Sequence, residues 1–123
     1  MQIIDNFLSD YDFISLSHIV LGKHFPWYYN DYTIDPGDNY DWYQLIHNFY
    51  SVKQGEAGTF NILSPLLQKL TGGKSLVRIK GNLNPKTVFH RNTGWHYDYA
   101  NMITAIFYLN TCNGWTHFKR GGK

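Results

Sequence analysis

Val77-Arg78-Ile79-Lys80-Gly81-Asn82-Leu83 alternates apolar and polar positions with a period of two. Successive side chains of a strand point to opposite faces. Val77, Ile79, Gly81 and Leu83 therefore share one face, and Arg78, Lys80 and Asn82 share the other. The stretch reads as a half-buried β-strand. Downstream, Asn84-Pro85-Lys86-Thr87 is a turn, and the apolar run Met102–Asn110 reads as a second strand. The turn Asn113-Gly114 and a short strand at Thr116–Phe118 follow.

Upstream of Val77 the periodicity is different. Ser9 is an N-cap, with Asp10 and Asp12 in the first turn and Phe13, Leu16, Ile19 and Val20 at helical spacing. Gly22 and Pro26 end that helix. Trp27–Ile34 reads as an edge or near-edge strand, Asp35–Asn39 as a turn, and Asp41–Val52 as a longer strand, broken at Gln54–Gly58. Ser64-Pro65 opens a short helix whose stripe is Leu66, Leu67 and Leu70, stopped by Gly72-Gly73. Gln2–Ile4 fits a short first strand. Helices followed by consecutive antiparallel strands predict an α+β, mainly β fold: a single domain over 1–123, a sandwich or jelly roll with helices on one face.

Composition narrows the function. A net charge of +2 comes without a basic block, apart from the terminal Lys119-Arg120-Gly121-Gly122-Lys123, so no nucleic-acid partner is expected. Cys112 is the single cysteine, which excludes an internal disulfide and suits a reducing compartment. The N-terminus has neither the basic region nor the apolar stretch of a signal peptide, and no apolar run approaches ~20 residues. The expectation is a cytoplasmic protein that does not contact a membrane. Aromatic residues make up 18% of the chain, which favours β structure and shaped pockets.

The chemistry lies in Gly94-Trp95-His96-Tyr97-Asp98-Tyr99. In an extended segment His96 and Asp98 point to the same side, with Cα atoms about 7 Å apart. An imidazole and a carboxylate that converge are two of the three ligands of the facial triad that holds non-haem Fe(II) and leaves positions open. Aromatic residues flank the pair, and the strand after it could anchor it.

These residues resemble the 2-oxoglutarate and Fe(II)-dependent dioxygenases, in their prolyl-4-hydroxylase-like branch. His96-Tyr97-Asp98 is followed by Tyr108-Leu109-Asn110 and then by Gly114-Trp115-Thr116-His117-Phe118, the order of that branch. Val77–Asn82 looks like its strand before the metal loop. The resemblance implies a double-stranded β-helix, with His96 and Asp98 as metal ligands for Fe(II). It also implies Tyr108 as the hydroxyl that binds the far carboxylate of the cosubstrate 2-oxoglutarate. The activity implied is an oxidoreductase that hydroxylates a C–H bond. Peptidyl proline, another side chain, a nucleobase and a small metabolite are all compatible substrates.

The family's third ligand, a later histidine, and the Arg or Lys beyond it have no counterpart before Lys123. The chain thus resembles the N-terminal portion of such an enzyme, C-terminally truncated, and little or no activity is expected. His117 reads as an exposed strand residue rather than a replacement ligand. His18 and His24 read as surface or helix-end residues, His47 as a core or rim residue, and His90 as a solvated loop residue. Cys112 in its turn has no base beside it. Arg78 and Lys80 could attract an anion or simply line a solvated sheet face. The alternative is a non-catalytic β-domain that acts in binding or assembly; a cupin-like sandwich would need more histidines near His96. Either way, a half-built jelly roll leaves apolar strand faces uncovered, which predicts a homo-oligomer.

Overall fold

The computed structural model describes residues 1–33, 42–70, 75–96 and 99–119. Helix α1 (Asp10–Val20) starts where Ser9 accepts a hydrogen bond from the Asp12 amide through its side-chain oxygen, at 3.2 Å. That bond satisfies one of the amides the first turn leaves open, and Asp10 and Asp12 complement the positive end of the helix. Leu16 and Val20 are buried on its inner face. Ile19, expected on the same stripe, is exposed. Pro26 follows, and the chain turns into strand β1 (Tyr28–Asn30).

Strand β2 (Gln44–Ser51) is the centre of the sheet. Its first residues pair antiparallel with β1, Tyr28 opposite Ile46 and Asn30 opposite Gln44. Its last two pair with the two-residue strand β3 (Gly55–Glu56). Its other edge pairs along its length with β4 (Arg78–Leu83), Leu45 opposite Leu83 and Ser51 opposite Arg78. One extra residue, Phe49, bulges from β2 between the Asn48–Lys80 and Tyr50–Ile79 pairs. Between β3 and β4 lie a 3-10 turn (Phe60–Leu63) and helix α2 (Ser64–Leu70).

Packing explains the alternation of β4. Ile79, on its inner face, packs against the buried cluster of Leu8, Leu16, Val20, Phe49, Leu63 and Leu66. Gly81, opposite His47, is where the rings of Trp27 and Phe49 cross the strand; a Cβ there would lie 3.2 Å from Trp27 and 3.3 Å from Phe49. The Trp27 indole N–H donates to the carbonyl of Val20 at 3.3 Å, which ties the start of β1 to the end of α1.

The α+β class expected from the sequence is present, among the described residues, as one antiparallel sheet of four strands with two helices. Strands at 28–30, 44–51 and 78–83 and both helices lie within the stretches read as strands and helices from the sequence. The order differs, because α2 falls between strands. The expected break at Gln54–Gly58 contains β3. Gln2–Ile4, Met102–Asn110 and Thr116–Phe118 join no ladder. The reason is visible in the last segment: Phe107 meets Phe13 of α1 edge-on at 6.3 Å, and Leu109 packs on the same core. The segment is held by side chains against a helix rather than by backbone bonds to a sheet edge. Burial alternates at that end: Phe107 and Leu109 are half-buried, while Ile106 and Tyr108 are exposed. The turn at Asp35–Asn39, the helix stop Gly72-Gly73 and the tail from Arg120 lie outside the described residues.

Candidate functional site

Two left-handed residues bracket the His96 segment. Gly94 has φ 84° and Asn101 has φ 60°. Glycine takes that conformation without a Cβ clash, and asparagine is among the few other residues that tolerate it. The Asn92 side-chain oxygen accepts the Gly94 amide at 2.8 Å, a local turn that redirects the chain into Trp95 and His96. Both left-handed positions interrupt an extended backbone, so neither Gly94 nor Asn101 continues a regular strand.

Side chains fasten the described residues on either side of the His-x-Asp motif. The Trp95 ring packs on His117 with centroids 5.4 Å apart. The Arg78 guanidinium of β4 lies over the Tyr99 ring at 5.1 Å. Earlier in the loop, His90 donates through Nε2 to the Asn113 carbonyl at 2.9 Å, and its ring lies 5.0 Å from Trp115. The Tyr108 hydroxyl is hydrogen-bonded to Thr116 Oγ1 at 2.5 Å. The residues around 113–117 thus touch the loop before His96 at two places and the 107–109 segment at a third.

His96 is exposed, and its Nδ1 lies 3.4 Å from the Gly94 carbonyl. Asp98 lies outside the described residues. Tyr108 is 55% exposed. Among the described residues no three His, Cys, Asp or Glu side chains converge to hold a metal ion. His117 packs on Trp95 instead of joining a ligand group. His18 and His24 are exposed at and beyond the end of α1. Cys112 is a free, exposed thiol 3.8 Å from the Gly114 carbonyl.

His47 is a core residue at 5% exposure. A carbonyl can only accept, so Nδ1–H donates to Pro26 O at 2.8 Å; Nε2 then meets the Thr59 hydroxyl at 2.6 Å. Both ring nitrogens are used, and Phe25 and Phe49 lie 4.4 and 4.6 Å away. Its job is structural. The sequence reading missed Arg78 and His117 as the groups that pack on Tyr99 and Trp95, and Thr116 as the partner of Tyr108. Nothing in local spacing signals them, since each acts on a residue far along the chain.

Comparison with protein-family models, with curated proteins and with solved structures gives no match to this chain. Among the described residues no helix is long and apolar enough to cross a membrane.

Proposed function

We propose that the chain is an Fe(II)/2-oxoglutarate-dependent oxygenase domain of the hydroxylase type, or a part of one, in which His96 and Asp98 are metal ligands. The observation that carries this reading is the fastening of the chain on both sides of the His-x-Asp motif, Trp95 against His117 and Tyr99 under Arg78. An imidazole and a carboxylate suit Fe(II) in kind. The contact of His96 Nδ1 with the Gly94 carbonyl favours the tautomer that leaves Nε2 as the coordinating nitrogen. Tyr108, bonded to Thr116, offers a hydroxyl pair for the far carboxylate of 2-oxoglutarate. Bound iron would supply the oxidative chemistry; the protein's part is to present ligands, orient the cosubstrate and exclude water.

In this reading Met102–Asn110 and Thr116–Phe118, which pair with no described strand, become jelly-roll strands when a second sheet or a second copy of the chain covers them. A cytoplasmic setting, where the Cys112 thiol stays reduced, goes with it. With no third ligand among the described residues, iron is held loosely and succinate release from 2-oxoglutarate is slow. The expected result of an anaerobic Fe(II) titration is weak, saturable binding. His96→Ala and Asp98→Ala should each weaken it by more than the roughly tenfold that loss of a group bonded to a ligand already costs. Unchanged binding in both variants would sink the proposal. A second reading, a non-catalytic domain for binding or assembly, is favoured by the exposure of Ile103, Trp115 and Phe118. It predicts no His96-dependent metal binding at all.

A further inference from the structure

A groove of about 560 Å³ runs between Trp42-Tyr43, just before β2, and residues 86–92, beyond β4. This volume is in the range of small-molecule sites. Its two walls are tied: the Gln44 side-chain amide donates to Asn84 Oδ1 at 2.8 Å. The 87–89 turn is fixed by the Thr87 hydroxyl, which donates to the Phe89 carbonyl at 2.5 Å. His90 is pinned from outside by Asn113 and Trp115.

The lining has a definite chemistry. Arg91 and Lys86 bring two positive charges, and no carboxylate is among the described lining residues. The Arg91 guanidinium lies 3.9 Å from the centroid of the Trp42 ring. A guanidinium stacked on a ring keeps its N–H edge for an oxyanion, and that edge can grip two oxygens of a carboxylate or a phosphate with parallel bonds. Trp42 in turn packs on Tyr43, and Tyr43 on Tyr29, a row of rings beside the charge. Val88 and Phe89, at 91% and 82% exposure, offer apolar surface at the groove with nothing described against it. Cations backed by rings, with an apolar rim, match a ligand with a negative head and a flat apolar body.

We infer that this groove binds a small organic anion, a carboxylate or phosphate carried on an aromatic body, with Arg91 gripping the oxyanion, Lys86 assisting and Trp42, Tyr43 and Phe89 packing on the rings. The site needs no metal and does not depend on the His96 reading. It is independent of it in experiment too, because binding is measured with metal-free protein.

The test is isothermal titration of the 123-residue chain with 2-naphthoate, 2-naphthyl phosphate, the neutral 2-naphthylmethanol and inorganic phosphate. The expected result is saturable binding of at least one naphthyl anion. The neutral analogue and inorganic phosphate should each bind at least about tenfold more weakly, the scale of one lost charge-assisted contact. The tighter of the two anions names the headgroup. Arg91→Ala should lose about tenfold in affinity for that anion. Arg91→Lys, which keeps the charge but not the fork, should recover only part of it, and Lys53→Ala, in a distant turn, should lose none. Equal binding of the neutral analogue, an unchanged affinity in Arg91→Ala, or no binding of either anion at millimolar concentration overturns the inference.

Discussion

His47 shows how much one side chain organises here. It stands opposite Gly81, where an added Cβ would crowd the Trp27 and Phe49 rings that lie across β4 at 3.2 and 3.3 Å. It reaches Pro26 ahead of β1 and Thr59 ahead of the 3-10 turn, so three parts of the chain meet at one imidazole. His47→Ala removes two hydrogen bonds worth about 1 kcal/mol each, and the packing of its ring adds to the loss. Urea denaturation should show a loss of about 2–4 kcal/mol for His47→Ala and about 1 kcal/mol for Thr59→Ala. Equal stability of His47→Ala and the parent would mean that the ring is a passive filler. The same reasoning explains why His47 was legible only as an aromatic-strand histidine of core or rim type: its partners lie 21 and 12 residues away.

At the scale of elements, α1 is the part most fully written in local sequence. Its cap, its acidic first turn and two of its buried positions follow from spacing alone, because capping is a bond between residues three apart. Ser9→Ala should lower stability by about 1 kcal/mol, with a matching drop in melting temperature by circular dichroism. No change would show that the Asp10 and Asp12 charges hold the helix end without the cap. The strands were less legible. β4 declared itself through alternation and β2 through its run of aromatic and aliphatic residues, but β3 is two residues in a stretch that reads as a turn. Met102–Asn110 carries a strand's composition without a strand's bonds. A ladder needs a partner edge in register, and composition does not specify one.

For the whole molecule, the exposed apolar surface decides the expected behaviour. Ile103 is 78% and Trp115 72% exposed, with Ile106, Tyr108 and Phe118 also more than half exposed. No described strand pairs with the second edge of β4. Burying such surface is favourable at about 25 cal/mol per Å², and open edges pair readily. Sedimentation equilibrium at micromolar concentration should therefore show dimers or larger species, and Trp115→Ser with Ile103→Ser should shift the distribution toward monomer. A monomer for the parent would leave that surface as solvent-facing. The sequence by itself determined the two helices, the three main strands, the antiparallel α+β class and the His96-x-Asp98 motif, because each rests on residues within a few positions of one another. The tertiary structure alone decided that His47 belongs to the core and that Phe107 and Leu109 pack on α1. It alone set Arg78 over Tyr99 and Arg91 over Trp42. Those are contacts between segments distant in the chain, set by which faces meet when the core closes.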